Sequence, residues 1–212
     1  MSARSWMRGV VIALVYLTLA ACANAGDRGP LVIFFGDSLT AGHLLPADLA
    51  FPALVAKSLR ERGRPIRMVN AGVSGDTSAG GLDRLSWLLE QKPDLLVVEL
   101  GVNDAFRGQP VERIEANLRA IVKQAKAAGV RVLLLGMRVP TNYGSDYTET
   151  FAAIYPRIAK SEKTGLMPFL LEGVGGHPEL NFDDGIHPNK EGQQIVADNV
   201  LVYVELALKA KP

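Results

Sequence analysis

Three histidines stand in the 212-residue chain, so the search for a general base is short. His187 closes the stretch Asp183-Asp184-Gly185-Ile186-His187-Pro188, where a carboxylate three residues back, on Asp184, can hold one ring nitrogen. The other nitrogen is then free to take a proton from a nucleophile, the logic of a triad. Asp183 is a rival for the orienting role, and spacing alone does not choose between the two. His43 has no carboxylate at a useful offset, and His177 reads as a solvated residue of a Gly-rich loop. The nucleophile that suits His187 is Ser38. It stands in Gly36-Asp37-Ser38-Leu39-Thr40-Ala41-Gly42, behind the apolar run Leu31-Val32-Ile33-Phe34-Phe35, where a buried strand delivers a serine to a tight turn. Taken singly, the same heptad describes a loop in which Asp37 or Ser38 caps a helix; beside His187, Asp37 is read as the residue that holds the turn. Acyl transfer also needs donors aimed at a developing oxyanion. Gly75, in Asn70-Ala71-Gly72-Val73-Ser74-Gly75-Asp76-Thr77, offers an unobstructed N–H, and Asn103, in Gly101-Val102-Asn103-Asp104, offers an amide.

These residues are scattered along the chain, so a scaffold must gather them. Apolar strand-like runs at 31–35, 67–71, 94–100, 131–136 and 165–171 alternate with helical patterns near 50–62, 77–91, 111–128, 147–163 and 190–209. In the third helical stretch Val111, Ile114, Leu118, Ile121 and Val122 fall on one helical face. Strand and helix repeated five times predict an α/β protein: a three-layer α/β/α sandwich around a five-stranded parallel sheet, of flavodoxin-like order 2-1-3-4-5. In such a sheet ligands bind beyond the carboxyl ends of the strands. Each polar stretch named above follows a strand, so all of them gather on one rim. Phe106, Val139, Pro140 and Tyr143 lie on loops at that rim and are expected to line an apolar acyl groove.

With 48% hydrophobic and 21% charged residues the chain can build a core. Residues 1–21 carry Arg4 and Arg8, no acid, and an apolar run from Val10 to Ala21 that is too short to span a bilayer and has the layout of a secretory signal peptide. Setting Arg4 and Arg8 aside leaves 21 basic residues facing 22 acidic ones, a balance with no electrostatic case for nucleic acid. Cys22 is the single cysteine, so there is no disulfide framework and no thiolate metal site; no His-Glu-x-x-His or His/Asp cluster implies a metal, and no glycine-rich phosphate loop implies a cofactor. In Leu19-Ala20-Ala21-Cys22 the signal end resembles a bacterial lipoprotein cleavage box. That would lipidate Cys22 and tether an exported protein to the membrane; ordinary cleavage after Ala23 or Ala25 would instead give a soluble periplasmic one. Residues 22–30 are then a short tether and 31–212 one domain, read as a monomer.

Taken together, the four blocks resemble those of the GDSL or SGNH hydrolase family, which contribute Ser, Gly, Asn and His in that chain order. Ser74-Gly75-Asp76-Thr77-Ser78, Asn142-Tyr143-Gly144 and Asp183-Asp184-Gly185-Ile186-His187-Pro188 resemble most nearly the bacterial periplasmic thioesterase, lysophospholipase and arylesterase group. The resemblance implies Ser38 as nucleophile, His187 as base, Asp184 as its partner, and the Ser38 N–H, Gly75 N–H and Asn103 amide as oxyanion hole. It implies a serine esterase acting without a cofactor on a small-molecule acyl ester or thioester. Val102 departs from the family's frequent Gly-Gly-Asn-Asp, which bears on substrate range. The readings to be separated from it are a catalytically silent lipid- or glycan-binding lipoprotein and a carbohydrate acetylesterase.

Overall fold

The computed structural model describes residues 29–210. The expected signal segment 1–21, Cys22 and most of the 22–30 tether lie outside them. The strands are β1 (Leu31–Gly36), β2 (Arg67–Gly72), β3 (Leu95–Glu99), β4 (Arg131–Leu135) and β5 (Gly165–Met167). All pair in parallel, in the order β2-β1-β3-β4-β5. Every residue of β1 and β3 is buried, as continuous apolar strands covered on both faces must be.

The helices are α1 (Ser38–Ala41), α2 (Phe51–Glu61), α3 (Ser78–Leu89), α4 (Val102–Phe106), α5 (Val111–Ala127), α6 (Ser145–Ala152), α7 (Ile154–Glu162) and α8 (Lys190–Lys209). They form two layers: α2 packs on α8, while α5 packs between α3 and α7. The expected apolar face of α5 is its buried face, with Ala125 added. Burying each such Leu or Ile side chain is worth about 1.5–3 kcal/mol. Chain order reverses between β1 and β3, which opens a crevice at their carboxyl ends.

Three expectations need correction. The last strand, expected over 165–171, stops at Met167. Pro168 has no N–H to give the sheet, and the chain turns away, with Met167 O and Leu170 N–H both bonded to Gly136 at 2.8 Å. The helix expected over 147–163 is two helices, broken at Ala153. Pro156 cannot donate to the Ala152 carbonyl four residues back and its ring crowds it. The stretches after β1 and β3, expected as loops, wind into the short helices α1 and α4.

Candidate active site

Ser38 is the first residue of α1, set directly beyond β1. The Asp37 carboxylate makes the turn, its Oδ1 accepting from the Leu39 N–H at 3.0 Å. Gly42, in the left-handed region at φ 75°, ends the helix with its N–H on the Ser38 carbonyl. The turn sits hard against its neighbours. A Cβ on Gly36 would lie 2.1 Å from Thr40 Oγ1 and 2.6 Å from Glu99 O. Asn70 at the end of β2 holds α1 from the other side, its Nδ2 donating to Thr40 O at 2.9 Å.

His187 reaches this turn from the 181–188 loop. Its Nε2 lies 2.8 Å from Ser38 Oγ, and its Nδ1 lies 2.7 Å from Asp184 Oδ2. The other carboxylate oxygen, Oδ1, accepts from the N–H groups of Ile186 at 2.8 Å and His187 at 3.0 Å. Burial pushes the Asp184 carboxyl up, but the His187 N–H, the His187 ring and the Ile186 N–H outweigh it and hold it at about 2. Asp184 is therefore a carboxylate at any working pH and accepts the Nδ1 proton, which leaves Nε2 its lone pair for the serine hydroxyl. Of the two candidate orienting residues, Asp184 is the one bonded to the ring. The His43 ring packs against His187 with centroids 4.5 Å apart, a neighbour that spacing in the sequence did not reveal.

Asn103 lies in α4, beyond β3, and its Nδ2 donates to Asp37 Oδ2 at 2.8 Å. An amide nitrogen has two hydrogens, so a second remains for the cavity that Asn103 lines together with Ser38 and His187. Gly75 has φ 79°, a conformation that glycine adopts without strain. Arg107 Nη2 holds its carbonyl at 2.9 Å. Among the described residues, neither the Gly75 nor the Ser38 N–H donates to a protein acceptor. The loop carrying Gly75 is tied to the serine turn by Val73 N–H on Gly36 O at 3.0 Å. Arg84 of α3 braces the same corner: its guanidinium donates to Asp76 Oδ2, Ala71 O and Gly36 O at 2.8, 2.9 and 3.1 Å and lies over the Phe35 ring. Asp104 anchors α4 by accepting from the Ser78 N–H and hydroxyl at 2.7 and 2.8 Å. Sequence reasoning missed Arg84 and Glu99, whose carboxyl sits fully buried beneath Asp37.

A cavity of about 420 Å³ opens beside Ser38 and is mostly apolar. Phe106, Val139 and Pro140 line it as expected, joined by Val102 and Met137. Tyr143, expected on this wall, stands outside it: the short turn Thr141–Tyr143 leaves its ring 39% exposed and packed on Phe106, centroids 6.0 Å apart. Phe169, Leu171 and Ile186 line it as well and were not anticipated. Among the described residues no cluster of His, Cys, Asp or Glu suits a metal ion, and no helix is long and apolar enough to cross a membrane.

A hydroxyl, an imidazole and a carboxylate joined in this way on a doubly wound sheet define a serine hydrolase. Comparison with known proteins agrees. Residues 34–195 match the GDSL-like lipase/acylhydrolase family, and the chain belongs to it. It is 40% identical to an arylesterase of Vibrio mimicus over 192 residues, 90% of this chain and 96% of that one. It is 43% identical to the thioesterase 1/protease 1/lysophospholipase L1 of Escherichia coli over 186 residues, 87% and 86% of the two. The crystal structure of TesA superposes with a TM-score of 0.81 at 44% identity, covering 84% of this chain and 99% of that one. The chain is thus a serine esterase of the SGNH type, an enzyme that hydrolyses ester bonds.

Proposed function

We propose that Ser38 is the nucleophile, His187 the general base and acid, and Asp184 its orienting partner, in hydrolysis of carboxylic esters or thioesters bearing an apolar acyl group. The observation that carries this reading is the unbroken relay from Asp184 Oδ2 through the His187 ring to Ser38 Oγ, at 2.7 and 2.8 Å. His187 Nε2 takes the hydroxyl proton as Oγ attacks the carbonyl carbon. The oxyanion receives the N–H groups of Ser38 and Gly75 and the free amide hydrogen of Asn103. His187 then gives its proton to the departing alcohol or thiol. Water, deprotonated by the same nitrogen, attacks the acyl-serine; the bond to Oγ breaks, His187 returns the proton to Oγ, and the carboxylic acid leaves. Turnover of a p-nitrophenyl ester, abolished in Ser38→Ala, is the expected result. A variant that keeps its turnover would remove Ser38 from the mechanism, and a wild-type chain that binds such esters without turnover would favour the silent binder.

The apolar cavity beside Ser38 supports an acyl chain over an acetylated sugar, whose hydroxyls would lose water there without partners. A chain-length series of esters, run beside an acyl-CoA and a lysophosphatidylcholine with Ser38→Ala as blank, separates arylesterase, thioesterase and lysophospholipase use. We place the mature enzyme at the cell envelope, exported by residues 1–21 and held by lipid on Cys22, on the strength of the Leu19-Ala20-Ala21-Cys22 box. Cys22→Ser should release it from membranes; continued membrane retention would refute the lipid anchor.

A further inference from the structure

Two carboxyl groups meet at the switch point of the sheet with no cation between them. Asp37 is 0% and Glu99 1% exposed, and among the described residues neither has an ion-pair partner. Glu99 Oε2 accepts twice, from the Asp37 N–H at 3.2 Å and from Thr40 Oγ1 at 2.9 Å, while Glu99 Oε1 is buried and receives no donor. Oε2, with both lone pairs filled, is the carbonyl oxygen of a neutral acid, and the proton of that acid has its acceptor in the Asp37 side chain, to which Glu99 is hydrogen-bonded. Asp37 is the opposite. Each of its oxygens receives a donor, Leu39 N–H at 3.0 Å on Oδ1 and Asn103 Nδ2 at 2.8 Å on Oδ2, which is how a carboxylate is stabilised.

Resting on the reading of Asn103 as an oxyanion donor, we propose that Asp37 and Glu99 share one negative charge, that it resides on Asp37, and that the Asp37 carboxylate is the positioning residue for the Asn103 amide. An ionised Asp37 can only accept. It therefore forces the amide nitrogen of Asn103 toward itself, and the second hydrogen of that nitrogen is left for the substrate. A protonated Asp37 could donate to the amide oxygen instead, which would permit the flipped amide and put an acceptor where the oxyanion forms. Glu99, kept neutral, lets Asp37 remain charged without a second charge beside it. Burial drives both carboxyls up, Glu99 well above the ordinary range and Asp37 to about 6, the latter restrained by the Leu39 N–H, Glu99, His187 and Asn103. The other groups around the pair are committed elsewhere: the Tyr155 hydroxyl of α7 to Leu100 O at 2.9 Å, Asp104 of α4 to Ser78, Arg84 of α3 to Asp76 and Gly36 O. The His187 ring, bonded to Asp184, is the basic side chain that faces Asp37.

A double-mutant cycle tests this on the purified enzyme. Asp37→Asn should lower kcat about 10–100-fold with KM little changed, because one donor is misaimed and no binding group is removed. In an Asn103→Ala background the same substitution should change kcat by about twofold or less. If Asp37→Asn costs its full factor in both backgrounds, or leaves kcat unchanged in the wild-type one, this proposal is overturned and the oxyanion role of Asn103 stands. An Asn103→Ala enzyme with wild-type kcat would overturn both. Carboxyl ¹³C NMR of the wild-type protein, assigned with Glu99→Gln, tests the charge without depending on whether Asp37→Asn folds. Over the pH range in which Asp37 titrates, around its raised value of about 6, Glu99 should stay protonated. Two ionised carboxyls at neutral pH, or a charged Glu99 beside a neutral Asp37, would overturn the assignment.

Discussion

Replacing Asp184 by Asn keeps the shape of the relay and reverses the direction in which one of its hydrogen bonds can run. In the wild-type loop Asp184 Oδ1 takes the N–H groups of Ile186 and His187 at 2.8 and 3.0 Å. An asparagine would keep its carbonyl oxygen there, which fixes its NH2 group at the place of Oδ2, 2.7 Å from His187 Nδ1. That nitrogen can only donate, so Nδ1 must become the acceptor and the ring proton moves to Nε2. Nε2 then faces Ser38 Oγ, 2.8 Å away, with no lone pair to receive its proton. The carboxylate that stabilises the imidazolium is lost as well. A wrong tautomer costs about 10³–10⁴ in kcat, or about 4–5.5 kcal/mol at 1.36 kcal/mol per tenfold. The assay is kcat and KM on a short-chain p-nitrophenyl ester, with Tm measured alongside. Because both backbone bonds survive, Tm should hold; Asp184→Ala, which removes them, should lose activity and lower Tm together. Asp183→Asn serves as the control and should stay near wild type. An Asp184→Asn enzyme within about tenfold of wild type, or a Asp183→Asn enzyme that loses activity instead, would refute the tautomer argument.

Gly75→Ala places a side chain at φ 79° where its Cβ meets nothing closer than Arg107 Nη2 at 3.8 Å; the backbone penalty of about 1–2 kcal/mol should turn the N–H away and lower kcat about 10–100-fold, and an unchanged kcat would remove Gly75 from the oxyanion hole. Glu99→Gln should gain Tm over wild type as pH rises from 5 to 8: a carboxyl raised well above its ordinary 4.5 contributes stability below that value and loses it as pH climbs toward the raised one, whereas Gln does not titrate. Each 1 kcal/mol so recovered should show as about 2–4 °C, and a Tm difference independent of pH would mean that Glu99 titrates alike in folded and unfolded chains. Phe169→Ala enlarges the cavity wall and should raise KM for short acyl esters about tenfold while shifting preference to longer chains; an unaltered chain-length profile would take Phe169 out of the acyl site.

The parts of the site that could be read from the sequence are those that end strands. β1 and β3 are apolar until their last residues, so Ser38 and Asn103 stood out as polar residues on a rim, and the single Asp-x-x-His that followed the last strand marked His187. Part of the cavity lining was hidden by one misread boundary. A strand expected to run to residue 171 buries Phe169 and Leu171 in the sheet; once Pro168 ends it at Met167, both are released to line the cavity. Pro156 likewise carried the signal that splits α6 from α7. Glu99 had no such signal. It closes an apolar run as an ordinary polar strand end would, and its partner lies 62 residues away, a pairing that only the parallel register of β1 on β3 creates.

That register also explains why the site tolerates a buried acid. Ser38 and Asn103 belong to the turns after two adjacent strands, and the short helices that carry them are joined through Asp37: Oδ1 fixes the first turn of α1, Oδ2 fixes the side chain from α4. Ser38 and Asn103 are therefore positioned by one carboxylate, itself set on β3 by the Glu99 bond to its N–H. His187 comes from a different direction, on a loop kept in place by Asn181, whose Nδ2 donates to Val174 O and His177 O at 2.8 Å each, and by the Asn189 cap of α8. The Ser38–His187 bond is thus the place where a sheet-borne half and a loop-borne half meet. Asp37→Asn keeps an oxygen for the Leu39 N–H, so it should misaim the Asn103 amide and leave the relay of Asp184 and His187 intact, while Asp184→Asn should do the reverse, and the two losses in kcat should multiply in the double variant.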